Sequence, residues 1–495
     1  MSDVIHLNKI NEVYFQLELS KSQAMELKET LSFYANNYKY HPQFKAGFWN
    51  GKIYMFNTKD QLLPIGLLPQ FINFCEQFKY PFVLNFDRVE AFGEPLSEDR
   101  FDKFIEYLYP ADGKYYPRYY QQESIYKALS NRRGVLQLAT GAGKSLTQYS
   151  IIRYLLATKE NILLVVPTVS LVEQMFSDFK DYGWEDAEKH CNLVYAGKKI
   201  DPTKSITIST WQSIYNKGPA FFKDFTALMI DEVHLASGQS IQTICKNCNR
   251  AKYRIGLTGT MPKDDASRYT ILGYLGPILY TLDAKTLMDE GVLTQIEIKN
   301  LIAEYPDEVC YRRDDYQKEQ KAILDYKPRN KVLDYILSNV NDKENILILV
   351  QRIEHLKEVR DYLVDNHQKY NVHQIYGDTD PNERERIRKL IDSSENSIIV
   401  ATFSTLSTGV NIKKLHHVVF FASYKSEIKV LQSIGRGLRT HESKTMMILW
   451  DVVDDMRYQH NKSLVKNYSY NHWEKFRLTY YKEQKFSYSD IQINI

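Results

Sequence analysis

The stretch Leu136–Ser145 (LQLATGAGKS) carries the strongest chemistry-bearing pattern in the chain. An apolar run stops, a glycine-containing loop follows, and Gly143-Lys144-Ser145 open a helical pattern. At such a junction the backbone N–H groups of Gly141, Ala142, Gly143, Lys144, Ser145 and Leu146 suit phosphate oxygens. The Lys144 ammonium can reach the β and γ phosphates of a nucleotide, and the Ser145 hydroxyl is of the type that ligates Mg2+. The full G-x-x-x-x-G-K-[ST] spacing wants glycine where this chain has Leu138, so the loop needs an independent partner.

ALMIDEVH supplies that partner. Asp231 falls at the end of an apolar run, where its carboxylate can hold Mg2+ through water, and Glu232 is placed to polarise an attacking water. The competing reading is that the two acids merely cap the next helix. An apolar strand followed by Asp-Glu, downstream of a phosphate loop, favours the chemical reading. Further on, QSIGRGLR offers Gln432, Arg436 and Arg439. The two arginines lie three apart after Gly435, so a short helix could present both toward a neighbouring cleft. An arginine supplied across a cleft stabilises charge on a transferring phosphoryl group. Surface ion pairs are the alternative for each of them.

These groups need rigid strands behind them. From about residue 105, short apolar runs alternate with helical stretches. Gly134–Leu138, Ile162–Val166, Ile206–Ser209, Ala227–Asp231 and Arg254–Leu257 read as buried parallel strands. A second series runs through Ile346–Val350, His373–Tyr376, Ser397–Ala401, His417–Phe421 and Met446–Asp451. Two βα series imply an α/β fold with two tandem doubly wound parallel-sheet domains. The expected organisation is a small α+β domain over 1–100, doubly wound α/β domains over 101–290 and 291–460, and an extension over 461–495.

The motifs, taken in order, resemble helicase superfamily 2. GAGKS, DEVH and SIGRGLR carry the resemblance, which spans about 105–455. It implies RecA-like domains and places Gln121, in PRYYQQESI, on the adenine. It identifies VVPTVSLVEQ (Thr168) and ISTWQSI (Thr210) with strand-contacting motifs of the first domain. GLTGTMP would couple hydrolysis to movement through Thr258 and Thr260, with His234 as a further coupling candidate or an ordinary core histidine. In the second domain ILVQRIEHL (Gln351, Arg352) and ATFSTLSTGVNI (Thr402, Gly409) match nucleic-acid and interdomain motifs. The whole chain, N-terminal segment included, is similar to recombination helicases of T-even-type phages. That resemblance implies duplex and branched DNA as substrate: forks, Holliday junctions and R-loops, the last bringing in RNA–DNA hybrids.

Several segments stay open on residues alone. His41–Phe56 reads as a hairpin turning at Asn50-Gly51. Lys45, Phe48 and Lys52 near its tip suit backbone contact and base stacking, whereas Trp49 suits a small core. The tail Lys462–Lys485 could grip nucleic acid or pack as a helix on the second domain. Cys245-Lys246-Asn247-Cys248 has metal-like spacing but no second ligand pair nearby, and is read as helix packing. Asp289 with Glu297-Ile298-Lys299 superficially resembles a nuclease pattern, but GVLTQIEIKN better suits a strand crossing between domains. No nuclease activity is expected.

The bulk numbers agree with this reading. The chain has 495 residues, 25% of them charged, and a formal net charge of +3. Binding to nucleic acid must therefore use local patches. Five cysteines in so long a chain make no disulfide framework, which fits a reducing cytoplasm. No apolar run is long enough for a membrane span, so no membrane association is expected. The function expected is an ATP- and Mg2+-dependent DNA helicase remodelling branched DNA. An RNA helicase, a duplex translocase that does not unwind, and a non-enzymatic annealing protein are the alternatives. The intact Lys144, Ser145, Asp231, Glu232, Arg436 and Arg439 speak against the last. Oligomeric state is not legible in the sequence.

Overall fold

The computed structural model describes residues 4–87, 89, 92–110, 113–195, 200–236, 238–310, 315–377, 379–406, 412–460 and 463–495. The chain divides into two compact units. The first comprises Met1–Leu138 and Gly143–Leu282, and the second Ala139–Ala142 and Asp283–Ile495.

The N-terminal segment opens the first unit. It contains β1 (Ile5–Lys9), β2 (Tyr14–Glu18), β3 (Ser32–Tyr34), β4 (Lys52–Tyr54), β5 (Leu62–Pro64) and β6 (Phe82–Leu84). The main sheet runs β5-β2-β1-β6, with β1–β2 and β2–β5 antiparallel and β1–β6 parallel. The hairpin expected over 41–56 does not form. β4 pairs instead with the upstream β3, and Pro42–Lys45 between them is a short helix. Pro42 occupies its first turn and the His41 ring accepts from the Gln43 N–H, a helix start that outweighs the local Asn-Gly turn signal.

The first motor sheet is built from β7 (Arg133–Leu138), β8 (Ile162–Val166), β9 (Cys191–Val194), β10 (Ile206–Thr210), β11 (Ala227–Ile230), β12 (Tyr253–Thr258) and β13 (Ile278–Leu282). Its order is β13-β7-β12-β11-β8-β10-β9, with parallel pairing throughout. β8, β10, β11 and β12 are buried along their whole length, which is why they read as continuous apolar runs. The helix Lys144–Ala157 is buried nearly all round, consistent with an element inside a sandwich of layers.

The N-terminal segment shares this unit's core rather than standing apart. It packs on the helix Asp265–Leu275. Phe33 stacks on Tyr269 at 4.3 Å between ring centroids, and the Tyr14 and Tyr274 hydroxyls are 3.3 Å apart. A Cβ on Gly66 would lie 1.9 Å from the Leu272 carbonyl oxygen, so only glycine permits this approach. Arg133 at the start of β7 donates to the Glu12 carbonyl at 3.0 Å.

In the second unit β14 (Gln295–Glu304), β15 (Ile346–Val350), β16 (Asn371–Ile375), β17 (Ser397–Thr402), β18 (His417–Phe420), β19 (Met446–Asp455) and β22 (Ser487–Asn494) form one parallel sheet. A separate pair, β20 (Tyr458–His460) and β21 (Ser463–Val465), is antiparallel. The main order is β16-β17-β15-β18-β19-β14-β22. The tail is therefore no loose extension: after helical turns over 468–483 it returns as the edge strand β22. GVLTQIEIKN does contain a strand, β14, seated between β19 and β22.

A buried charged network ties the tail to β19. Asp451 lies 3.1 Å from the Arg477 Nε and accepts from the Tyr481 hydroxyl at 2.7 Å. Asp454 accepts two bonds from Arg329, at 2.6 and 3.1 Å, and one from the Tyr305 hydroxyl at 2.8 Å. The Glu319 carboxylate accepts from the Tyr468 and Ser469 N–H groups at 2.7 and 2.8 Å, capping the helix Tyr468–His472 from a distant element.

Candidate functional site: a phosphate loop and its carboxylates

β7 ends at Leu138, and the helix that follows the loop starts at Lys144. Gly141 and Gly143 take φ of +91° and +80°, left-handed values that explain glycine at both places. Gly143 is the N-cap of the helix and has no side chain to satisfy the first N–H groups. The Leu146 N–H reaches the Gly143 carbonyl at 3.1 Å, which leaves the Lys144 and Ser145 N–H groups at the helix start to face an anion. Gln121 approaches this loop from the helix Tyr119–Asn131. Its Nε2 donates to the Gly143 carbonyl at 3.2 Å, while its Oε1 accepts from the Arg118 N–H at 2.8 Å. The structure thus places Gln121 at the loop, with its amide bridging two backbone segments.

Lys144 donates to the Leu138 carbonyl at 3.3 Å, and its Nζ lies 3.7 Å from Glu232 Oε1. Asp231 follows β11, its N–H donating to the Val165 carbonyl of β8 at 2.9 Å. The Asp231 Oδ1 is buried without a hydrogen-bond partner. Burial pushes the Asp231 carboxyl well above the ordinary carboxylate range; neighbouring Glu232 pushes the same way and Lys144 opposes. An orphaned buried carboxylate oxygen beside a second acid is a poor structural feature and a good cation ligand. The donor types fit a divalent cation: the Asp231 carboxylate and the Ser145 hydroxyl at the helix start would hold it, and it would supply the positive charge the two acids lack.

Glu232 adopts φ +46°, strained for a residue with a Cβ. Its Oε2 lies 3.3 Å from His234 Nδ1. That nitrogen is also 2.7 Å from the Thr258 hydroxyl at the end of β12. Thr258 donates in turn to the Thr260 carbonyl at 2.9 Å, and the Thr260 N–H returns to the Thr258 hydroxyl at 3.3 Å. Burial lowers the His234 pKa, so the imidazole is neutral near pH 7. Lys144, Glu232, His234, Thr258 and Thr260 are thus one contiguous chain of contacts inside the first unit. Gln148, missed from the sequence, lies one helical turn beyond Lys144. Its buried amide has no hydrogen-bond partner, yet it sits near enough to Asp231 to oppose the rise of that carboxyl. The i, i+4 spacing from Lys144 was the available signal.

The nucleic-acid candidates lie at the carboxyl ends of strands, where open α/β sheets place their ligands. Thr168 caps the helix Val169–Asp181 by accepting from the Leu171 N–H. Thr210 ends β10, buried, with its hydroxyl 2.8 Å from that of Ser213. Thr402 ends β17, equally buried, 2.6 Å from the Thr405 hydroxyl. Gln351 and Arg352, just after β15, are exposed. Gly409 lies outside the described residues. In the N-terminal segment Lys45 and Phe48 are exposed, whereas Lys52 is paired with Glu29 at 2.7 Å. Trp49 is half-buried and donates its indole N–H to the Lys52 carbonyl.

In the second unit the helix Glu427–Gly437 carries Gln432 and Arg436, both half-buried. It ends before Arg439, so the two arginines do not share a helix as the spacing suggested. Arg439 follows in an extended stretch bridged to Leu293. Cys245 and Cys248 are fully buried, and their carbonyls accept from the buried Arg254 guanidinium at 2.9 and 2.8 Å, so this is helix packing. Asp289 pairs with Lys285 one helical turn away, and Glu297 lies on β14. Among the described residues no helix is long and apolar enough to cross a membrane.

Comparison with known proteins agrees with this layout. Three family models match: DNA helicase UvsW, N-terminal, over residues 5–85; type III restriction enzyme, res subunit, over 114–263; and helicase conserved C-terminal domain, over 328–441. The ATP-dependent DNA helicase uvsW of Enterobacteria phage T4 is 32% identical over 99% of both chains. The DNA 3'-5' translocase XPB2 of Sulfurisphaera tokodaii is 26% identical over 67% of this chain and 80% of its own. The crystal structure of T4 UvsW matches 99% of this chain and all of its own, with a TM-score of 0.52 and 29% identity. With that identity held end to end, N-terminal segment included, the chain belongs to the UvsW family of superfamily 2 helicases and is an ATP-dependent DNA helicase.

Proposed function

We propose that this chain is a motor that remodels branched DNA: forks, Holliday junctions and R-loops. The observation that carries the reading is the 32% identity to the phage T4 helicase over 99% of the chain, including the N-terminal segment. The uncompensated carboxylate site described above supports the chemistry. In this account Lys144 and the loop N–H groups bind the β and γ phosphates, and Asp231 and Ser145 hold Mg2+. The ion supplies charge neutralisation at the transferring phosphoryl group. Glu232 accepts a proton from the attacking water, and its strained backbone fixes the carboxylate's direction. Arg436 and Arg439, with Gln432 on the same segment, stabilise the charge that develops on the γ-phosphoryl group.

The contact chain from Glu232 through His234 to Thr258 and Thr260 couples that chemistry to movement. Loss of the γ-phosphate changes the charge beside Glu232, and the neutral His234 relays the change to the end of β12. Thr168, Thr210, Gln351, Arg352 and Thr402 bind the sugar–phosphate backbone, and Lys45 and Lys52 contact duplex near the branch. Residues 1–100, sharing the core of the first unit, act in DNA engagement, while 101–290 and 291–460 form the two motor halves and 461–495 completes the second sheet. A second reading, a duplex translocase that does not separate strands, is favoured by the likeness to the archaeal translocase.

ATP hydrolysis by wild type and Lys144→Ala, with branched DNA, linear duplex or single-stranded RNA, tests the proposal. Stimulation highest with branched DNA and absent in Lys144→Ala is expected. Stimulation by RNA alone contradicts it. Strand displacement in the presence of a single-strand trap separates the helicase from the translocase.

A further inference from the structure

The last carbonyls of a helix have no partner within it. At the end of Glu427–Gly437 three consecutive carbonyls are nevertheless held by two side chains' residues from elsewhere. Gly437 accepts from the Lys444 ammonium at 2.8 Å. Leu438 accepts from the Thr294 N–H at 2.7 Å, and Arg439 from the Thr294 hydroxyl at 3.1 Å. These carbonyls belong to the turn that carries Arg436 and Arg439.

Lys444 does more than cap. Its ammonium also donates to the Lys413 carbonyl at 3.3 Å, directly after the ATFSTLSTGVNI stretch. One cation therefore fastens the arginine turn to the segment that follows the other interdomain motif. Lys444 is 7% exposed and Thr294 4%. Among the described residues Lys444 has no carboxylate partner, and burial drives its pKa down to about 8. A long flexible ammonium buried without a counter-charge is costly to keep. A helix end that needed only a stop could use water or a glycine cap. Gly437 is held tightly as well, because a Cβ there would come within 3.0 Å of Val418 and 3.1 Å of Met447.

We propose that Lys444 and Thr294 are positioning residues for hydrolysis, clamping the Gly437–Arg439 carbonyls so that Arg436 and Arg439 meet the γ-phosphoryl group in one geometry. This rests on the proposed role of the two arginines. Lys444 and Thr294 act through the backbone carbonyls they hold. Thr294 stands just ahead of β14, so the clamp also joins the arginine turn to the chain that enters the second sheet.

The test measures kcat and KM for ATP at saturating DNA, with thermal unfolding alongside, for Lys444→Met, Lys444→Arg, Thr294→Val, Arg436→Ala and Arg439→Ala. Misplacing a catalytic group by about 1 Å costs on the order of 100-fold in rate. Lys444→Met is expected to lower kcat by roughly 10- to 100-fold with KM unchanged. Lys444→Arg, which keeps charged donors, should recover most of it, and Thr294→Val should show a smaller loss of the same kind. If Lys444→Met is too unstable to purify, Thr294→Val and Lys444→Arg carry the test. Thr294→Val with wild-type kcat, or a kcat of folded Lys444→Met equal to wild type, beside inactive arginine variants overturns the clamp alone. Arginine variants with undiminished kcat overturn the arginine reading and the clamp with it.

Discussion

The two motor units share a plan, a seven-stranded parallel sheet with helices on its faces, but they balance buried charge differently. In the first, Asp231 and Glu232 stand together at the end of β11 with Lys144 as their nearby cation, and the Asp231 Oδ1 is left without a partner. In the second, each buried acid of β19 has an arginine beside it: Asp451 with Arg477, Asp454 with Arg329 and Asp455 with Arg457. Tyrosine hydroxyls donate to Asp451 and to Asp454, although Asp451 Oδ1, like Asp231 Oδ1, has no hydrogen-bond partner. The difference separates a site from a scaffold. A buried acid with its own arginine is neutralised within the fold, whereas two acids sharing one lysine leave room for a ligand that brings the missing positive charge.

Removing a charge from each region should therefore break different properties. Lys144→Ala should reduce ATP turnover on the order of 1000-fold or more, with little change in thermal stability. Thermal unfolding and steady-state hydrolysis on one preparation check both halves. In the second unit Asp451→Ala strands a buried guanidinium and should cost about 3–5 kcal/mol by urea unfolding. Replacing both partners by apolar residues, Asp451→Leu with Arg477→Met, should recover much of that loss. If Asp451→Ala were as stable as wild type, the network would be no scaffold.

The Asp231 site should also respond to pH. The Asp231 carboxyl is raised above its ordinary value near 3.8, so folding takes up a proton there. Without nucleotide its contribution is full at low pH and is lost as pH rises from that value toward neutrality. Asp231→Asn should flatten this part of the stability profile, and the difference between the two unfolding curves reads it directly. The smallest effect concerns the N-terminal segment as part of the first unit's core. Phe33→Leu removes the stack on Tyr269 and should cost about 1 kcal/mol, leaving KM for ATP unchanged.

Much of this was legible in the sequence, for a physical reason. β8 and β15 were bounded to the residue because strands buried on both faces show as unbroken apolar runs. β22 was invisible because SYSDIQIN is an exposed edge with polar alternation. The hairpin over 41–56 was misread because Asn50-Gly51 is a local turn signal and pairing with Ser32–Tyr34 is not local. At the site, Lys144, Asp231 and Glu232 announced themselves by type and order. The strained φ of Glu232, the bridging of Gln121 and the carbonyl clamp around Arg439 depend on three-dimensional approach, and no residue spacing encodes them.

In the proposed function the carboxylate pair after β11 is the chemical centre, with Glu232 acting on water rather than holding nucleotide. Single-turnover hydrolysis by Glu232→Gln, beside its affinity for a non-hydrolysable ATP analogue with Mg2+, tests it most directly. Wild-type affinity with hydrolysis slowed about 100- to 10,000-fold is expected. Hydrolysis at the wild-type rate, or loss of nucleotide binding with the residual rate unchanged, would contradict it.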